Sequence, residues 1–165
     1  PEPDISPIRV VPGPQNDYFI TGALNALCSS SYTIRSHSDR MGYSLIGPAL
    51  HLLGDANIIS DGVLPGSIQV PGDGQPIVLL RDCQTTGGYP KIATVISADL
   101  DRFAQISPGE LVRFVTVTLN QAIVAARVAD AEQTRMLATI SSAIRLPTTD
   151  TLLRVNLIDG VTDGS

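Results

Sequence analysis

Lysine is almost missing from this chain: among 165 residues, Lys91 carries the one ammonium side chain. The remaining basic groups are nearly all arginines, scattered so that no basic stripe forms. With a formal net charge of -5 and a pI near 4.8, neither nucleic acid nor an anionic lipid surface is expected as a partner. Cysteine is scarce as well. Cys28 and Cys83 fit no metal or redox spacing and read as buried or incidental thiols of a reducing compartment. No apolar stretch approaches the ~20 residues that span a membrane, and no signal peptide precedes the fold, so no membrane is expected and the cytoplasm is the expected location. The sequence has neither a Gly-x-Ser-x-Gly elbow nor a GxxxxGK[ST] nucleotide loop. His37 and His51 stand apart from any cysteine or carboxylate pair at ligand spacing. They read as exposed turn residues, and no metal is assigned.

What is present describes a globular domain: 43% hydrophobic and 16% charged residues. A chain of this length buries roughly 70% of its unfolded surface. Residues 1–7 are proline-punctuated and lack an initiator methionine, which reads as a linker, so the chain is expected to be the later part of a longer polypeptide. Short apolar runs then recur about every ten residues: 8–11, 32–34, 43–46, 57–60, 67–70, 77–80, 91–96 and 111–117. Pro12-Gly-Pro14, Gly72-Asp-Gly74 and Ser107-Pro-Gly109 punctuate them. A helix capped by Asp17 is expected to run to about Leu27, with Phe19, Ala23, Leu24 and Leu27 on one face. A second, capped by Ser97 or Asp99, should reach Phe103. Many short strands with few helices make the fold mostly β, an antiparallel barrel or sandwich. After Leu119 the composition turns alanine-rich and helical over 122–129 and 134–144, stopping before Pro147, and residues 152–158 read as a final strand or arm. The expected division is a linker at 1–7, a barrel subdomain at 8–128 and a C-terminal helix and arm at 129–165.

Chemistry concentrates in residues 68–91, where two glycine-rich polar turns flank Ile77-Val-Leu-Leu80. In Gln84-Thr-Thr-Gly-Gly-Tyr-Pro-Lys91, Gly87 and Gly88 permit successive N–H groups to converge on an anion or oxyanion. Thr85 and Thr86 add hydroxyls, Lys91 a charge, and Tyr89, held extended by Pro90, a ring or proton donor. The structural alternative is a wide β-bulge with Tyr89 plugging a barrel end. Arg40 can clamp a carboxylate with its planar fork, or pair structurally with Asp39 or another acid. Asp61 is a possible base, although turn chemistry alone accounts for Asp-Gly. Gln69 interrupts an apolar strand: it either alternates outward or is a buried amide that orients a ligand. Gly72-Asp-Gly74 reads as a hairpin turn.

These words resemble a known family: Val11-Pro-Gly-Pro14, Ser38-Asp-Arg-Met-Gly42, Gly47-Pro48, Ser60-Asp-Gly-Val63, Gly66-Ser-Ile-Gln-Val-Pro71, Asp73-Gly-Gln-Pro-Ile77, residues 84–91, Ser97-Ala-Asp-Leu100 and Pro108-Gly109. In this order the chain is similar to the second half of the C subunit of bacterial ATP-dependent 5-oxoprolinase. That family is also known as allophanate hydrolase subunit 2 or the Kip-type antagonist, and it is similar to part of the carboxyltransferase domain of urea carboxylase. The likeness runs from about Ile8 to Ala126. It implies a cyclophilin-like closed β-barrel, one of two similar halves, and a paired B subunit of related fold, the allophanate hydrolase subunit 1 type. It also implies action on a small amide or lactam. ATP or biotin would then serve the complex without being bound by this chain. Residues 38–42, Ser60 to Gly62, Gln69 and residues 84–91 would line the site, with Lys91, Tyr89, Thr86 and Asp61 in the chemistry and Arg40, Ser60, Gln69, Gln84, Thr85, Gly87 and Gly88 binding substrate. The first half of the family pattern is absent, and Arg81-Asp82-Cys83 is more charged than the usual lead-in, so activity in isolation is not expected. A Kip-type binding module that sequesters a histidine-kinase inhibitor is the alternative function. Peptidyl-prolyl isomerase activity would be analogy from the fold alone.

Overall fold

The computed structural model describes residues 6–36, 38–54 and 57–143. The strands are β1 (Ile8–Pro12), β2 (Ser31–Ile34), β3 (Gly42–Ile46), β4 (Asp61–Gly62), β5 (Ser67–Gln69), β6 (Ile77–Leu79), β7 (Thr86–Gly87), β8 (Lys91–Val95) and β9 (Leu111–Thr116). The helices are α1 (Ala23–Ser29), α2 (Ser97–Ala104) and α3 (Leu119–Ala143). Seven strands close a barrel in the order β1-β8-β5-β6-β3-β2-β9, and β4 with β7 forms a separate two-stranded ribbon. Only the β1–β9 closure is parallel, Ile8 lying opposite Phe114, while the other barrel ladders are antiparallel. The fold is mostly β, as the spacing of apolar runs and turns requires.

Period-two alternation decides which side chains fill the barrel. Ile8 and Val10, Tyr32 and Ile34, Leu45, Ile68, Val78, Val112 and Phe114 are buried in one core. α2 adds Leu100 and Phe103 to it, and Phe103 stacks obliquely on Tyr43 (5.5 Å between centroids) and Phe114 (6.4 Å). Each fully buried side chain of this size contributes roughly 1.5–3 kcal/mol. Burial also pushes the Tyr32 phenol up to about 12, its hydroxyl donating to the Pro48 carbonyl at 3.1 Å.

The structure corrects four local expectations. Asp17 does not cap a long helix: residues 16–18 form one 3₁₀ turn, and α1 begins only after Gly22 at φ 89°. Between them Phe19 bridges Leu52, the Ile20 N–H donates to the His51 carbonyl and the Leu53 N–H to the Tyr18 carbonyl. That pairing holds the segment extended. Residues 57–60 are no strand; Ile59 is exposed, and β4 follows them. The two helices expected beyond Leu119 are one uninterrupted α3. Neither Ser97 nor Asp99 caps α2, whose N-cap is Ile96 without a side-chain bond. The expectations for Ile144, Pro147 and residues 152–158 lie outside the described residues, as does His37. The chain divides into two compact units, Pro1–Arg127 and Val128–Ser165. No helix among the described residues is long and apolar enough to cross a membrane.

Asp99 is instead committed to β1. It accepts the Arg9 backbone N–H at 2.8 Å and the Arg9 guanidinium at 2.6 Å, and Arg102 approaches at 3.3 Å. Burial alone would raise the Asp99 carboxyl, but the Arg9 bonds and charge outweigh it and hold the group below its usual range. A carboxyl lowered by folding adds stability above its unfolded value, about 3.9, and loses it as pH falls through the folded value. Asp99→Asn is therefore expected to cost about 2 kcal/mol at neutral pH and to flatten the fall of stability below about pH 4. Urea midpoints measured from pH 7 down to 3 check both.

Candidate functional site

Residue spacing along β8 sets up the polar centre. Ser67 pairs with Thr94 and Ile68 with Ala93, but Gln69 pairs with Lys91, so a register shift between Ile68 and Gln69 skips Ile92. Such irregularities re-aim side chains. Here one places Gln69 and Lys91 opposite each other, both buried.

Each polar group is then met by a neighbour. The Lys91 ammonium donates to Asp61 Oδ2 at 2.7 Å and to the Gly62 carbonyl at 3.0 Å. Asp61 Oδ1 accepts the Gly62 N–H at 2.8 Å. The pair is lopsided: the Lys91 side chain is 4% exposed and that of Asp61 55%. The bond from Lys91, then those from Gly62 and Gln15 and the Lys91 charge, hold the Asp61 carboxyl below its usual range. Gln69 donates from Nε2 to the Tyr89 carbonyl at 3.3 Å, so of its two readings the fold realises the buried amide.

The ribbon carries the rest. Asp61 pairs with Gly87 and Gly62 with Thr86, extended by the Val63 N–H to the Thr85 carbonyl and the Ile58 N–H to the Gly88 carbonyl. Neither Gly87 nor Gly88 takes a positive φ, so the converging N–H nest allowed by two glycines does not form. Gly87 is small for a different reason. A Cβ there would overlap Gln69 Nε2 and come within 3.0 Å of Val63 Cγ1. Tyr89 is 38% exposed and does not plug the barrel. Ser60, Gln84, Thr85 and Thr86 are exposed on the ribbon and its flanks.

Arg40 belongs to different surroundings. Its side chain is 92% exposed, and its Nε stands 3.5 Å from Asp82 rather than pairing with Asp39, which turns back to accept the Met41 N–H. Arg40 lines a cavity of about 580 Å³ with Tyr43, Leu80, Arg81, Asp82 and Asp101 among its neighbours. Asp61, Gln69 and residues 84–91 do not line it. The fold thus gathers Lys91, Asp61, Gln69, Thr86, Gly87 and Tyr89 and places Arg40 in a hollow that none of them lines.

Sequence reasoning misses Gln15. Its Oε1 accepts the Lys91 backbone N–H at 3.2 Å and its Nε2 donates to Asp61 Oδ2 at 3.1 Å. The available signal is its place directly after Pro12-Gly-Pro14, at the end of β1, with Gly13 packed on the Lys91 carbonyl. No group of three or more histidine, cysteine or acidic side chains able to hold a metal gathers among the described residues.

Known proteins share this arrangement of elements. The chain is 46% identical over 116 residues to the C subunit of 5-oxoprolinase from Escherichia coli and 43% identical over 115 residues to that from Haemophilus influenzae, in each case over 70% of this chain. It spans 37% of the length of both. Among solved structures, the K. lactis urea amidolyase superposes with a TM-score of 0.71 at 25% identity, over 75% of this chain and 8% of that one. The family model of the carboxyltransferase domain, subdomain A and B, matches residues 1–116, and this chain belongs to that family.

Proposed function

We propose that this chain is the C-terminal part of a subunit of the 5-oxoprolinase or urea-carboxylase type, acting within a complex on a small amide or lactam. The observation that carries this reading is the Lys91–Asp61–Gln15 cluster: a buried ammonium holding an exposed, ionised carboxylate in one orientation. A site built this way is preorganised for a polar, uncharged group. Asp61 is too acidic to serve as an efficient base near neutral pH, since a base works best with a pKa close to the working pH. Its role is to accept a hydrogen bond from the substrate, with Lys91 holding it ionised and Gln69 shaping the wall. Proton transfer is assigned to the exposed Thr86 and Tyr89 hydroxyls, and binding to Ser60, Gln84, Thr85 and Gly88 along the polar rim.

The cluster does not fit a triphosphate. Phosphate cradles use left-handed glycines or a free ammonium, whereas Gly87 and Gly88 lie outside that region and Lys91 is taken up by Asp61. ATP or biotin chemistry would then enter through a paired B subunit and the portion of the relatives' length that this chain does not span.

Expressing this chain together with those two components tests the reading. Turnover of 5-oxoproline with ATP, or carboxylation of urea with carboxybiotin, is expected only when all are present. A complex equally active without this chain would overturn it. In the active complex Arg40→Ala is expected to raise KM by roughly three- to tenfold and leave kcat within about twofold, because an exposed guanidinium recruits substrate without touching the reacting bond.

A further inference from the structure

Among the described residues one acceptor position of Asp61 is left open, and its place says what the site takes. A carboxylate offers about four acceptor sites, two on each oxygen. Oδ2 uses both, for Lys91 Nζ at 2.7 Å and Gln15 Nε2 at 3.1 Å. Oδ1 uses one, for the Gly62 N–H at 2.8 Å. We infer that the remaining acceptor on Asp61 Oδ1 binds an N–H of a small neutral amide, and that Gln15 is the positioning residue that confines the opening to this oxygen. The inference rests on the reading of the cluster as the functional centre.

Gln15 can act in only one sense. The Lys91 backbone N–H is a donor and needs Oε1; Asp61 as a carboxylate only accepts and needs Nε2. The amide is thereby locked between β8 and β4. The exposed carboxylate meets a ligand, while the buried ammonium behind it already answers its charge, so a cationic ligand gains little over a neutral one. An amide, lactam or urea nitrogen bearing hydrogen matches the opening. An N-alkylated one does not.

The lactam 2-pyrrolidinone and its N-methyl counterpart differ in that hydrogen alone. In the full chain, titration of 2-pyrrolidinone followed by backbone amide NMR is expected to shift the Asp61 and Gly62 signals saturably, with the N-methyl compound at least tenfold weaker. Gln15→Met, which frees a second acceptor on Oδ2, is expected to weaken 2-pyrrolidinone at least fivefold and to move the Asp61 carboxyl titration upward toward its ordinary range. The pair of lactams tests the wild-type chain even where that variant folds poorly. Equal binding of the two lactams, or shifts confined to the Arg40 hollow, overturns the inference. A clear N–H preference together with an inactive complex would leave the acceptor standing and remove the proposed reaction instead.

Discussion

Gly13→Ala is expected to lower the unfolding free energy by about 3 kcal/mol, at the upper end of overpacking costs. The Gly13 N–H donates to the Ile92 carbonyl at 2.9 Å, drawing the end of β1 onto the start of β8. A Cβ at Gly13 would overlap the Lys91 carbonyl oxygen and lie 2.8 Å from the Ile92 carbonyl carbon. These are backbone atoms in a buried ladder, so no side chain can swing aside, and β1 must separate from β8. For a folded unit of this size the loss corresponds to roughly 10 °C in Tm. Gly62, where an added Cβ meets nothing within 4 Å, supplies the control: Gly62→Ala is expected to stay within about 0.5 kcal/mol. Thermal unfolding of the two variants side by side checks the contrast. Because Gln15 follows two residues after Gly13, the same substitution should also disturb the cluster at temperatures where the barrel is still folded.

Lys91→Met in the assembled complex is expected to lower kcat/KM at least tenfold, about 1.4 kcal/mol of transition-state stabilisation. Methionine keeps most of the lysine stem volume in the barrel wall, so the change isolates the charge from the packing. Without the ammonium, Asp61 loses the bond that contributes most to holding it ionised, and its orientation is left to Gly62 and Gln15 alone. Asp61→Asn should reach a similar loss from the other side. The double variant should lose no more than the worse single one, since groups that act as a unit are not additive. Initial rates over a range of substrate concentrations for the three variants decide this. Full additivity would separate the two residues into independent roles.

Much of the barrel is legible in the sequence because its strands are short alternating runs with glycine and proline between them. β1, β2, β3, β5, β6, β8 and β9 fall where alternation and turn chemistry put them. At both misplaced helix caps, long-range pairing outweighs local preference. Asp17 looks like a cap, yet Phe19 and Ile20 are needed beside Leu52 and His51. Asp99 looks like another, yet it neutralises Arg9 from ninety residues away. At the site, the tie between the sole lysine and the glycine-rich segment is readable from composition. The register shift opposite Gln69 is not, because a one-residue irregularity leaves no mark on periodicity. In the sequence, Gly87 and Gly88 suggest conformational freedom. The structure uses Gly87 for close approach to Gln69, and sequence alone cannot tell these two uses of glycine apart. Likewise nothing in the one-dimensional pattern separates Arg40 from the lysine cluster; only the strand order does.

Labelling the chain with ¹⁵N-lysine places one ammonium signal in the whole sequence, at Lys91. An ammonium 4% exposed and bonded to Asp61 and the Gly62 carbonyl should give a slowly exchanging resonance at neutral pH that moves when Asp61 becomes asparagine. A resonance that exchanges as fast as free lysine and ignores the Asp61 substitution would contradict the cluster on which the proposed chemistry stands.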